Sequence, residues 1–297
     1  MSTTTILSLN CNGIKRLFNT PSIKSKKQTS ILQFLNPSST SNNLAEADKG
    51  HLPSLLSNVN PDIVFLQELK TSKDTAIKTL HAISNTYPHQ YIHASTKKGY
   101  RGVAILSKTA AQTHWNDLDI LSVGQTLTAE DEYAIALFKQ DELDAGGRIL
   151  CVQYDNRVFI NTYTVNSGKD GKRLDVRMHF EHCVQHLIAH IQHVRGMQVI
   201  LGGDMNVCPT LTKLDCSSSW FFARLPGGFD QERQMRNSLL QTQHLIDVYR
   251  EINPKGVKMT NTVGSRTWRL DLWLVSNSLR DHITHVETLE TITLSVV

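Results

Sequence analysis

QVILGGDMNV, residues 198–207, decides how this chain is read. An apolar run, Val199-Ile200-Leu201, leads into Gly202-Gly203, and Asp204 and Asn206 follow two apart. β-Prone residues bounded by glycines and, further on, Pro209 predict a strand. An unbroken apolar run is what a strand buried on both faces displays. Asp204 and Asn206 then stand at or just past its C-terminal end, on one side of an extended chain. The glycines leave backbone room for a ligand or for another chain segment. Ordinary turn chemistry also accounts for Asp and Asn here.

The segment feeding this strand carries the clearest helical pattern. Leu174, Met178, Cys183, Leu187, Ile188, Ile191 and Val194 follow a period near 3.6, and Gly196 stands where a C′ glycine belongs. TILSLN (5–10) reads as a strand ending in the turn Asn10-Cys11-Asn12-Gly13, and HLPSLLSNV (51–59) as a helix. DIVFLQE (62–68) is a buried strand ending on Glu68, GVAILSK (102–108) is a third strand, and ILCVQYDNRVFINTYTV (149–165) is two strands turning at Asp155-Asn156. RNSLLQTQHLIDVYRE (236–251) reads as a helix, while TWRLDLWLVSN (267–277) and TITLSVV (291–297) read as late strands. KSKKQTSILQFLN (24–36) is a basic segment entering a short helix, and NPSSTSNNLAEADKG (36–50) is a polar loop insertion. No repeat or boundary divides residues 1–297, so one α/β domain is expected, with two sheets.

Composition narrows the class. The chain has 297 residues, 40% of them hydrophobic, and a net charge of +4, which permits a polyanionic partner without requiring one. Five scattered cysteines without a CxxC pair predict a reducing compartment. No apolar run reaches membrane-spanning length, and MSTTTILSLN lacks the features of a signal peptide. An intracellular, unsecreted protein in the nucleus or cytoplasm is expected, with no membrane association.

Several strands end on oxygen-bearing side chains: Asn10, Glu68, Tyr163 with Asn166, and Asp204 with Asn206, while Asp271 lies within a late strand. Several such ends on one sheet edge suggest a hard-cation site. Mg²⁺ takes one or two carboxylates plus waters and substrate phosphate, and amides and a phenol hold phosphate oxygens without adding negative charge.

In order, LNCNGIKR, PDIVFLQELK, GYRGVAILSK, NTYTVNSGKDGKRLDVR, VILGGDMNV, GGFDQERQ and TWRLDLWLVS resemble the successive blocks of the exonuclease III / apurinic–apyrimidinic (AP) endonuclease family, within the endonuclease/exonuclease/phosphatase superfamily. The resemblance spans nearly the whole chain. It implies a four-layered α/β sandwich of two packed, mainly antiparallel sheets flanked by helices. It further implies a Mg²⁺-dependent (Mn²⁺ being the alternative) DNA phosphodiesterase of base excision repair, a monomer acting on duplex DNA with abasic sites. Carried over, Glu68 binds the metal with Asn10, and Asp204 activates the attacking water. Asn206, Asn10 and Tyr163 hold the phosphate, with Asn12 beside them. Asn166 contacts substrate, Trp268 lines the abasic-sugar pocket, and Asp271 orients a catalytic histidine. Lys97, Lys98, Lys169, Lys172, Arg173 and Arg177 border these blocks and fit backbone phosphates; Lys24, Lys26 and Lys27 fit a solvated face or a localisation signal.

The chain departs from the family in one respect that bears on rate. The family's final Ser-Asp-His motif is absent, through a deletion ahead of TITLSVV or a chain cut short. His282 and His285 are the sole histidines after Asp271. Loss of a phosphate-directed donor typically costs roughly 10²–10³ in rate, so weakened catalysis is expected. Arg101 replaces a small residue, and MTNTVGSR (259–266) lacks aromatics. Two alternatives stay open: a catalytically impaired relative that still binds DNA, and a retrotransposon-type endonuclease.

Overall fold

The computed structural model describes residues 4–18, 52–97, 99–116, 146–288 and 292–296. The basic segment 24–36, the polar insertion 36–50 and Lys98 lie outside the described residues. Strands β1 (Thr4–Asn10), β2 (Ile63–Gln67), β3 (His89–His93) and β4 (Val103–Ser107) join the late β13 (Ile283–Thr288) and β14 (Ile292–Val296) in one sheet, ordered β13-β14-β1-β2-β4-β3. The second sheet runs β5-β6-β7-β8-β12-β9. Its strands are β5 (Thr113–Asn116), β6 (Ile149–Tyr154), β7 (Arg157–Tyr163), β8 (Gln198–Asp204), β12 (Asp271–Ser276) and β9 (Leu245–Asp247). A two-stranded ribbon, β10 (Asn261–Val263) and β11 (Arg266–Trp268), leads into β12.

The apolar runs explain the layering. Phe65, Ile105, Phe159, Ile200, Trp273 and Val275 point between the sheets and form one shared core. Alternate residues of the same strands face away and must be covered. Leu7, Val64 and Leu106 pack with α1 (Leu52–Val59) and α2 (Lys73–Leu80), whereas Val158, Ile160 and Leu201 pack under α3 (Leu174–Ala189) and α5 (Asp230–Thr242). The result is helix, sheet, sheet, helix, with β1–β2 and β7–β8 as parallel pairs in largely antiparallel sheets. Among the described residues no helix is long and apolar enough to cross a membrane.

Three readings of the sequence change, and one element was missed. The predicted helix 236–251 breaks: α5 stops at Thr242, Leu245-Ile246-Asp247 supplies β9, and α6 (Val248–Ile252) follows. Pairing of Leu245, Ile246 and Asp247 with β12 overrides local helical spacing. The strand 267–277 is interrupted at Arg269-Leu270, where Arg269 turns inward to Asp215 and Asp247. The long helix closes as a π-helical turn, His190–Val194, leaving Val194 64% exposed rather than in the apolar stripe. Helix α2 was not expected; Ser72 caps it by accepting the Thr75 amide.

Candidate active site

Parallel pairing aligns the ends that matter. Asn10 is in register with Gln67, which places Glu68 just beyond β2, and Tyr163 is in register with Asp204. β12 runs antiparallel to β8, so its first residue, Asp271, faces Asp204. Packing the two sheets brings these ends together. Asn10 Nδ2 donates to Glu68 Oε1 (3.1 Å) and to Asp204 Oδ2 (3.0 Å), joining carboxylates from both sheets through one amide. Asn10 Oδ1 accepts from the Asn12 amide (3.0 Å). Beneath it, Gln67 Nε2 donates to Asn161 Oδ1 (2.7 Å) and Ser8 Oγ (3.0 Å), and Asn161 Nδ2 donates to the Leu66 and Ala104 carbonyls. A buried amide network with its donors paired fixes the relative position of the sheets at the site.

The loop after β8 is equally tied. Asp204 Oδ1 accepts the Asn206 amide (2.9 Å), Asn206 Nδ2 donates to the Thr164 carbonyl (3.0 Å), and Asn166 Nδ2 donates to Asn206 Oδ1 (3.2 Å). Asn12, Glu68 and Asn206 all hold left-handed backbone, at φ 43°, 54° and 47°. Such conformations cost non-glycine residues energy and cluster where side chains must be aimed.

Crowded carboxylates set the electrostatics. Burial, and then the charge of Asp271, push the Asp204 carboxyl well above the usual range. Burial pushes Asp271 up to about 6, with Thr260 easing the shift and Glu68 adding to it. Burial and then the charges of Glu68 and Asp204 raise the Tyr163 phenol, which stays an O–H donor at neutral pH. Lys70 answers part of the negative charge, pairing with Glu68 and donating to Asn12 Oδ1 (2.7 Å).

Asn10, Glu68, Tyr163, Asp204, Asn206 and Asp271 thus come together, with exposed Asn12, Asn166 and Lys169 on adjoining loops. Arg173 is half-buried. Arg177 requires correction: it is fully buried, pairs with Glu181, and donates to the carbonyls of Val165, Met205 and Asn206. It shapes the site from behind and presents nothing to a DNA backbone. Trp268 is also buried, 4% exposed and stacked on Phe222 at 4.2 Å, which leaves little ring surface for a sugar. The glycines make room for protein. A Cβ on Gly202 would lie 2.1 Å from the Trp273 ring, and one on Gly203 2.2 Å from the Thr162 carbonyl. His282 and His285 are exposed, and among the described residues no histidine pairs with Asp271.

Lys70, Gln67, Asn161 and Thr260 were not singled out from the sequence. Lys70 had a signal, since it follows Glu68 by two positions. The two buried amides had none, because an isolated Gln or Asn in an apolar strand does not announce its partner. Arg177 had a signal against it, as its spacing with Phe180, Val184 and Ile188 places it on the buried face of α3.

Residues 7–291 match the model of the Endonuclease/Exonuclease/phosphatase family. The chain is similar to an exodeoxyribonuclease of Bacillus subtilis strain 168, 27% identical over 238 residues that span 77% of this chain and 82% of that one. It is similar to a DNA-(apurinic or apyrimidinic site) endonuclease of Dictyostelium discoideum, 27% identical over 235 residues, covering 75% of this chain and 57% of the other. In fold it resembles the 3′ phosphatase NExo from Neisseria, solved bound to a product DNA hairpin. That match has a TM-score of 0.68 and 18% identity, and covers 99% of this chain and 98% of that one. A sandwich of this topology, with its strand-end oxygens meeting where the family's motif blocks lie, accounts for all three likenesses: the chain belongs to the endonuclease/exonuclease/phosphatase family.

Proposed function

We propose that this chain is a divalent-metal-dependent DNA phosphodiesterase of the exodeoxyribonuclease/AP endonuclease type, cutting duplex DNA 5′ to abasic sites in base excision repair. The observation that carries this reading is the Asn10 amide joining Glu68 to Asp204, with Asp271 directly beside Asp204. The relatives by sequence, and the DNA-bound structural neighbour, support nucleic acid as the substrate.

The donor set fits Mg²⁺. Apart from the Lys70 ammonium paired with Glu68, the polar atoms converging on the site are oxygens and amides, and burial together with the neighbouring negative charge raises the Asp204 and Asp271 carboxyls. Among the described residues no three His, Cys, Asp or Glu side chains close into a cage. Mg²⁺ keeps several waters and takes one or two carboxylates. Glu68 would hold it, with Asn10 alongside. When bound, the ion supplies charge neutralisation at the phosphate and the leaving oxygen.

The chain's own groups do the rest. Asp204 accepts a proton from, or orients, the attacking water; its Oδ1 is steadied by the Asn206 amide. The protonated Tyr163 phenol donates to a phosphate oxygen. Asn206 is braced by Thr164 and Asn166 to present its amide. Among the described residues no histidine is placed to serve Asp271, and turnover should fall short of a site with that donor by roughly 10²–10³.

Incision of a duplex carrying one abasic site, with and without Mg²⁺, tests the reading. Mg²⁺-dependent cleavage that Glu68→Gln abolishes, with the fold retained, is the expected result; wild-type rates in Glu68→Gln would refute the metal assignment. A DNA-binding role without catalysis is the second reading, favoured by an Asp271 that has no histidine beside it among the described residues. Tight binding to abasic DNA with no incision under any divalent ion would establish it.

A further inference from the structure

The segment between Asn206 and Asp230 carries an aromatic cluster that the phosphate site does not use. Its short helix α4 (Ser219–Phe222) turns Phe222 inward, fully buried against Trp268. Two positions earlier Trp220 faces away and is 70% exposed. A single exposed ring is ordinary on a protein surface, but here it adjoins half-buried Phe221, with a guanidinium over each ring, and the four groups form one aromatic and cationic patch. Arg224 lies over it, with Cζ 4.2 Å from the ring centre and Nη1 donating to the Trp220 carbonyl at 3.1 Å. Arg266 on β11 lies over Phe221 at 4.4 Å, and Phe221 meets Phe222 edge-on at 5.2 Å. Both guanidinium groups belong to exposed residues, and neither pairs with a carboxylate among the described residues.

This cluster is moored to the site. The Cys208 amide donates to the Gly227 carbonyl (2.7 Å), closing the loop next to Asn206. The Ser217 amide donates to the Thr267 carbonyl, and the Thr267 amide to Ser217 Oγ, both at 2.8 Å. Trp268, which Phe222 covers, is followed directly by Arg269, Leu270 and Asp271.

We propose that Trp220 is a stacking platform for an unpaired nucleobase of the substrate strand, with Arg224 and Arg266 meeting the phosphates on either side; this rests on the nucleic-acid reading above. Every base has a π-face, so a ring of this size binds any of them. A guanidinium held against an aromatic face is already ordered, and its outward N–H groups fit phosphate oxygens. An unpaired acidic protein surface would satisfy the arginines but leave the open Trp220 ring without a planar partner. The platform therefore gives the enzyme a preference for DNA with an unpaired base beside the scissile phosphate, as at a single-stranded overhang, over blunt continuous duplex.

The test is binding of fluorescein-labelled DNA in EDTA, comparing a duplex with a 3′ single-stranded overhang to the blunt duplex, for wild type, W220A and W220F. W220A should weaken overhang binding on the order of ten-fold and leave the blunt duplex unchanged, while W220F restores most of the loss. Iodide quenching of tryptophan fluorescence in wild type should fall as the overhang DNA saturates. Equal affinity of W220A and wild type for the overhang, or equal loss on both DNAs, overturns the platform while leaving the nuclease reading standing. Wild type that binds neither DNA overturns both.

Discussion

Asp204 and Asp271 stand directly opposite one another across the antiparallel ladder of β8 and β12. Burial raises both carboxyls; the charge of Asp271 adds to the shift at Asp204, and that of Glu68 to the shift at Asp271. The protein holds like charges together at a site that a cation would relieve.

The first prediction follows from that pair. Asp271 titrates at about 6 in the folded chain, above its unfolded value. The fold thus favours the protonated form. Its contribution to stability is full below about pH 4, the unfolded carboxyl value, and is lost as pH rises through about 6. Metal-free Asp271→Asn should show a flatter decline in melting temperature over this window and melt higher than wild type at pH 8. A melting profile parallel to wild type at every pH would contradict the raised Asp271 carboxyl.

Arg269 makes the opposite prediction. It joins buried Asp215 and Asp247, and burial opposes but does not overcome the arginine that holds both carboxyls below their usual range. Their contribution is present above about pH 4 and is lost as pH falls through the depressed folded values. Arg269→Met leaves two buried charges short of a partner and should cost about 3–5 kcal/mol in urea unfolding at pH 7. The penalty should shrink in acid, where the carboxyls protonate.

Gly202→Ala separates packing from function. Its added methyl would strike the Trp273 ring, so stability should fall by about 1–3 kcal/mol, as overpacked cores do. Folded protein at low temperature should keep its substrate affinity. Unchanged stability with weakened affinity would instead assign this glycine to the ligand.

Lys169 and Arg177 should part company in salt. Exposed Lys169→Ala should reduce the slope of log affinity for DNA against log salt by about one phosphate contact. Buried Arg177→Ala should destabilise the fold, freeing three carbonyls, without changing that slope. A reduced slope for Arg177→Ala would return it to the DNA surface.

The absent histidine gives the last prediction. His282 and His285 are both exposed, so changing both to Ala should leave the incision rate within about two-fold of wild type, surface changes being nearly neutral. A large loss would show that one of them reaches the phosphate.

Local sequence determined the strands that form the walls of the site. Val199-Ile200-Leu201 and Ile63-Val64-Phe65-Leu66 are apolar on both sides, so they had to lie inside a covered sheet, and the polar residues that end them had to emerge at an edge. The order of the motif blocks was legible too, because each block is short and local. What depended on distant partners was not. Leu245-Ile246-Asp247 is a strand only because β12 offers it an edge, and Arg269 breaks its strand only because Asp215 and Asp247 await it inside. The glycines of Gly202-Gly203 look the same in sequence whether they admit a phosphate or a tryptophan ring, and only the packing of Trp273 and Thr162 distinguishes the two. Arg177 and Lys169 are both basic residues beside a motif, yet one points into the core and the other into water. Sequence pattern settles which residues must be buried, since burial follows hydrophobic periodicity. Which buried groups meet is a long-range matter, decided only when two sheets close on each other and every interior donor must find an acceptor.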